Sequence, residues 1–102
     1  MVIYIDIDET ICTHKNEDPS VPRDYADAMP IPENIAKANQ MFDTGATIVY
    51  WTARGTVTGI DWTEVTKKQL KDWGCRHHEV KLGKPYYDVF IDDKAMNVKD
   101  WK

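Results

Sequence analysis

Val2-Ile3-Tyr4-Ile5-Asp6-Ile7-Asp8-Glu9-Thr10 is an apolar run that closes on two carboxylates spaced i, i+2 and a threonine. Val2 to Ile5, β-branched and aromatic, reads as a buried strand. Asp6 and Asp8 stand where that strand runs out, and side chains two apart share a direction while the backbone stays extended. An acid buried in an apolar strand is costly unless a cation meets it. The segment therefore predicts a site that handles a metal, a phosphate or both.

A second run, Tyr87-Asp88-Val89-Phe90-Ile91-Asp92-Asp93, repeats the pattern near the C-terminus. Two such strand ends, side by side in a parallel sheet, would gather four carboxylates at one edge. A divalent cation or a lysine must then neutralise them. In open α/β sheets that edge is also where ligands bind. Thr47-Ile48-Val49-Tyr50-Trp51-Thr52 reads as a further strand ending in a hydroxyl, and Gly83-Lys84-Pro85 puts a cation just ahead of the last strand.

The order Asp-x-Asp-x-Thr, strand-Thr, Lys, strand-Asp-Asp resembles the four motifs of the haloacid dehalogenase superfamily of phosphatases and phosphotransferases. The resemblance covers nearly the whole chain. The first motif alone is a weak signal, whereas four in order, each at or just before a strand end, make a specific one. The combination of DIDETIC, YWTARG and GKPYYDVFIDDKA looks like the small cap-less members, among them predicted phosphatases of capsule and surface-sugar biosynthesis. One departure is the lysine, which stands only eight positions before Asp92. Both Lys84 and Lys81 are candidates for it, and the rigid Lys-Pro turn favours Lys84.

The resemblance implies a Mg²⁺-dependent phosphomonoesterase acting on a small phosphorylated metabolite such as a sugar phosphate. Asp6 would be the nucleophile that forms an aspartyl-phosphate. Asp8 would protonate the leaving alkoxide and then deprotonate the attacking water, which requires its pKa to lie above that of Asp6. Mg²⁺ would be held by Asp6, the backbone carbonyl of Asp8, and Asp92 and Asp93 directly or through water. Thr52 and backbone N–H groups near Ile7 and Ala53 would hold the phosphoryl oxygens, with Lys84 offsetting their charge. Arg54 would either reach the leaving group or pair with nearby acids at the surface.

Taken singly, these residues have plainer readings. A strand-end Asp is often a turn residue, and a lone lysine is usually solvated. Joint placement outweighs those readings. Cys12-x-His14 and Cys75-x-His77-His78 have a spacing of one residue, not the two to four of structural zinc hairpins, so Cys12 reads as packing under the loop. Lys67, Lys68 and Lys71 read as a solvated helix face, because no aromatic or arginine interleaves them.

A length of 102 residues gives one domain, 1–102, with one modest core. The net charge of −4 argues against nucleic acid or an anionic membrane as main partner. With only two cysteines, no membrane-length apolar run and no signal-peptide pattern, the expectation is reduced thiols in the cytoplasm.

The elements follow. Residues 11–30, with Pro19, Pro22 and Pro30, read as a loop over the active site. Pro32 opens a helix with Ile35, Ala38 and Phe42 on one face, and Gly45 ends it. A strand at 46–52 precedes a helix begun by Asp61 and Glu64, striped by Trp62, Val65, Leu70 and Trp73 and stopped by Gly74. Strands at 76–82 and 87–92 come next, then a short terminal helix anchored by Met96 and Trp101. The pattern predicts an α/β fold: a three-layer α/β/α Rossmann-like domain with a mainly parallel sheet, strand order 3-2-1-4, and no cap domain.

An uncapped site excludes water poorly. A homo-oligomer whose interface approaches the 11–30 loop is therefore expected, and light scattering that finds an active monomer would contradict it. Two rival functions remain. One is a nucleotide or nucleic-acid-end phosphatase, which a substrate panel separates. The other is a non-catalytic, receiver-like phospho-acceptor, which multiple turnovers of p-nitrophenyl phosphate would rule out.

Overall fold

A computed structural model describes residues 1–15, 18, 20 and 23–102. Pro19 and Pro22 of the expected lid lie outside the described residues. Strand β1 is Val2–Ile5. The base of the 11–30 loop is tied by a short antiparallel pair, β2 at Cys12–Thr13 and β3 at Met29–Pro30, with Cys12 opposite Pro30 and Thr13 opposite Met29.

Helix α1 spans Pro32–Asp43, with proline in the first turn where its missing N–H costs nothing. Ile35 and Ala38 are buried on its inner face and Phe42 packs against them. Gly45, at φ 104°, lets the chain turn out of the helix. Strand β4, Thr47–Trp51, lies parallel to β1 with Val2 opposite Thr47 and Ile5 opposite Tyr50. Helix α2 covers Thr63–Asp72, its start held by the Asp61 carboxylate, which accepts the Thr63 N–H. Strand β5, Glu79–Lys81, pairs parallel with β4 through Val49–Glu79 and Trp51–Lys81.

The sheet order is β1-β4-β5. This is the 3-2-1 part of the expected arrangement, built from two parallel crossovers that each carry a helix. Ile5 of β1, Ile48 and Tyr50 of β4, Ile35 and Ala38 of α1 and Leu70 of α2 share one core cluster, with Ile3 and Val80 packed on it. Strand side chains alternate faces, so both helices cover the same face of the sheet. On the other face Val2 and Tyr4 remain 63% and 51% exposed. Among the described residues the domain therefore has two layers, a three-stranded parallel sheet and two helices.

The expected fourth strand is corrected. Residues 87–92 form no regular element, and Val89, Phe90 and Ile91 are exposed. Strand propensity reports fit to a pleated, half-buried surface, and this run has no ladder partner here. The C-terminal helix is likewise only a single 3₁₀ turn, Val98–Asp100, whose start Asn97 caps through the Lys99 N–H.

Candidate active site

Where β1 ends, the chain tightens at once. Thr10 and Ile11 both donate backbone N–H bonds to the Ile7 carbonyl, at 3.1 and 2.9 Å, and Glu9 sits at φ 61° while donating to the Cys12 carbonyl. Ile7 and Ile11 are fully buried by this turn. Asp6 and Asp8 flank Ile7, but their partners differ.

The Asp6 carboxylate lies 3.7 Å from the Lys84 ammonium. Both line a cavity of about 120 Å³, together with Ala53, Pro85, Tyr86 and Tyr87. That is well below the roughly 300 Å³ at which pockets begin to enclose a whole drug-sized ligand. It suits a small anion whose remaining substituent stays outside. Lys84 is set in place by its N–H, which donates to the Thr52 carbonyl at 3.1 Å, and by its carbonyl, which accepts the Thr56 hydroxyl at 2.8 Å. Its ammonium also lies 5.6 Å from the Trp51 ring and 5.2 Å from that of Tyr87. Lys81 faces elsewhere, bonding the Tyr4 hydroxyl at 3.2 Å and pairing with Glu79. Geometry thus puts Lys84, not Lys81, beside Asp6.

Thr52 is buried at the end of β4, and its Oγ1 accepts the Arg54 N–H at 3.1 Å. Ala53 forms cavity wall, and at Gly55, φ 79°, a Cβ would collide with the Ile60 carbonyl oxygen.

Arg54 is 2% exposed. Its Nε donates to Asp8 Oδ2 at 3.0 Å and Oδ1 at 3.3 Å. Nη2 reaches Asp8 Oδ1 at 2.9 Å and Cys12 Sγ at 3.8 Å. Nη1 donates to Thr66 Oγ1 at 3.1 Å and Gln69 Oε1 at 2.6 Å. The Tyr25 ring lies 4.8 Å from the guanidinium carbon, and Gln69 in turn donates to the Tyr25 carbonyl. A guanidinium has five N–H donors, and these contacts engage all of them. The expectation that Arg54 faces a leaving group, or an acid at the surface, is corrected: it is a buried partner of Asp8. His14, also buried, completes the shell with Nε2 at 2.8 Å from Asp8 Oδ1.

Burial pushes the Asp6 carboxyl above the usual carboxylate range, more than the Lys84 charge pulls it down. Burial acts on Asp8 in the same direction, but there the hydrogen bonds and charge of Arg54, with His14, outweigh it and hold the carboxyl low. The order is the reverse of what the acid–base assignment asks for, because the cations are shared unequally. Asp8 has a buried guanidinium at bonding distance, and Asp6 a lysine just outside it.

Asp92 and Asp93 are not brought to these carboxylates. Both are exposed on the irregular C-terminal segment, and the Asp92 carboxylate accepts the Lys94 N–H at 2.7 Å. Asp6 fits an oxygen-preferring dication as a hard donor on the cavity whose burial Lys84 leaves partly uncompensated. Ligand atoms of Asp8, Cys12 and His14 also lie within 4.8 Å of one another. Burial raises the Cys12 thiol to about 12, and the Arg54 guanidinium stands among these atoms. The buried guanidinium among these atoms disfavours a dication there, so the trio reads as a hydrogen-bond shell. The other histidines serve the fold: His78 Nδ1 accepts the Ile48 N–H and His77 bonds the Cys75 carbonyl.

No family model and no curated protein matches the chain. A crystal structure of a target protein from Vibrio cholerae is similar in fold, with a TM-score of 0.82 at 22% identity over 98% of this chain and 85% of that one. At that identity the likeness speaks for the α/β fold alone. No helix among the described residues is long and apolar enough to cross a membrane.

Proposed function

We propose that the chain is a Mg²⁺-dependent phosphomonoesterase that works through an aspartyl-phosphate on Asp6. The observation that carries this reading is the pairing of Asp6 with Lys84 on a small cavity at the C-terminal end of parallel strands. A carboxylate nucleophile and an ammonium around a phosphate-sized space are what in-line phosphoryl transfer requires. Lys84 attracts the dianionic phosphoryl group and offsets charge as it spreads over the oxygens, and Ala53 supplies wall beside it. Asp6 attacks phosphorus as the ester bond breaks; Asp8, ionised in the resting chain, would first take up a proton from solvent and pass it to the departing alkoxide. Water then attacks the acyl phosphate, with Asp8 accepting its proton. The low pKa of Asp8 in the resting chain suits this second half of the cycle.

Asp6 and the Asp8 carbonyl would hold Mg²⁺, which would supply charge neutralisation when bound. In this reading the domain is cap-less. The substrate is a small phosphate ester, its alcohol portion outside the cavity.

The test is steady-state hydrolysis of p-nitrophenyl phosphate with Mg²⁺. Wild-type protein should turn over many times, and Asp6→Asn, isosteric but a poor nucleophile, should lose on the order of 10⁴-fold or more in kcat. An Asp6→Asn protein near the wild-type rate would end the covalent mechanism. A single phosphorylation without turnover would favour the receiver-like reading, which uses the same Asp, Thr and Lys.

A further inference from the structure

The two oxygens of Asp8 are treated differently. Oδ1 receives His14 Nε2 at 2.8 Å, Arg54 Nη2 at 2.9 Å and Nε at 3.3 Å, with the Cys12 thiol at 3.5 Å. Oδ2 receives Arg54 Nε, at 3.0 Å. An ionised carboxylate oxygen has about two lone-pair sites, so Oδ1 is saturated and Oδ2 keeps capacity. We propose that Arg54 is a positioning residue that fixes the plane of Asp8, with Oδ2 the less engaged of its two oxygens.

This inference rests on the phosphatase reading. Its structural basis is the way the fork is anchored. Arg54 does not float on Asp8 alone: Thr66 and Gln69 hold its other end from one face of α2, and Tyr25 stacks on it from the loop. The carboxylate is therefore referenced to a helix, not to its own single-bond rotors. The same turn that carries Arg54 inward carries Ala53 to the cavity wall, so the clamp and the phosphate pocket share one piece of backbone. Proton transfer in the transition state needs such placement, and an error of about 1 Å costs on the order of 10²-fold. Lysine cannot replace the fork, because it offers one point charge where two parallel N–H bonds set the plane.

A positioning role is separable from a structural one by the leaving group. p-Nitrophenolate departs without a proton, whereas the alkoxide of glycerol phosphate must be protonated as it leaves. In wild-type, Arg54→Lys and Gln69→Met proteins, kcat/KM for both esters reports the first, ester-cleaving step. Arg54→Lys should lose about 100-fold on glycerol phosphate and under about tenfold on p-nitrophenyl phosphate. Gln69→Met, which removes one anchor and leaves the guanidinium, should show the same skew at smaller size and keeps the test open should Arg54→Lys fail to fold. In an Asp8→Asn background either change should add under about twofold, since it acts only through Asp8.

Equal losses on the two esters, or losses that add fully to Asp8→Asn, would overturn the positioning role. Failure of the underlying reading looks different. Wild-type protein would then hydrolyse neither ester, or Asp6→Asn would hydrolyse both, and the assignment of Asp8 would fall with it.

Discussion

Two acidic regions near the end of β1 differ in how completely the chain has answered their charge. Around Asp8, a guanidinium, an imidazole and a thiol converge from the 52–55 turn and the base of the loop, and the charges are almost wholly out of water. Around Asp6 there is one lysine at 3.7 Å, and beyond it a segment, Tyr86 to Asp93, that is exposed throughout. The first region is closed apart from capacity at Asp8 Oδ2. The second is open, with the Asp6 charge met by Lys84 at 3.7 Å. A closed charge network stores stability, and an open one stores binding capacity.

The largest effect on stability should come from the closed side. Arg54→Met keeps volume but leaves Asp8 buried with only His14, a situation that costs about 3–5 kcal/mol. Adding Asp8→Leu should recover much of that loss, because neither charge then remains buried. Lys84→Met, at the open side, should cost under about 1 kcal/mol because Asp6 is partly solvated, while removing most phosphatase activity. Urea unfolding of the four proteins measures this. Similar losses for Arg54→Met and Lys84→Met would erase the distinction.

The next effect belongs to the open side. Mg²⁺ binding only the folded chain should stabilise it by about 2.7 kcal/mol at a hundred times Kd, and each kcal/mol raises Tm by roughly 4–8 °C for a domain of this size. Asp92→Ala should leave the shift unchanged, because that carboxylate is exposed on the C-terminal segment and accepts the Lys94 N–H. If Tm is the same in Mg²⁺ and in EDTA, Asp6 does not bind the ion.

Much of the fold was legible in the sequence, whereas the contrast between the two carboxylates was not, for a physical reason. Val2–Ile5, Thr47–Trp51 and both helices announce themselves through local periodicity and start signals such as Pro32 and Asp61. The juxtaposition of Asp6 and Lys84 is legible because segments at the ends of parallel strands converge, whereas Thr52 is buried with its hydroxyl turned to the Arg54 N–H and off the cavity wall. The Arg54 shell is not legible, since Thr66 and Gln69 lie 12 and 15 positions away and only the fold brings them in. One signal existed: Thr66 is a polar residue placed on the buried face of α2, four before Leu70, and a fully buried hydroxyl there implies a partner. His14 carried no comparable mark. The run 87–92 misleads for the opposite reason. Its residues suit a strand, yet a strand exists only against another, and pairing is not written in propensity.

The smallest expected effect is kinetic and sharpens where the closed region ends. Cys12 and Cys75 are both buried free thiols, pushed by burial to about 12 and about 11. Thiolate is the reactive form, so at pH 8 both should resist a disulfide reagent over minutes and titrate only after unfolding. Their neighbours differ, however. Cys12 belongs to the Arg54 shell, whereas Cys75 follows α2 and its N–H is bonded to the Leu70 carbonyl. Gln69→Met loosens the shell without removing the guanidinium. If the Asp8 network opens as a local unit, Cys12 labelling should rise by about tenfold while Cys75 stays within about twofold. If both rise together, opening passes through global unfolding, and the network around Asp8 is no more separable from the core than Ile7 or Tyr50.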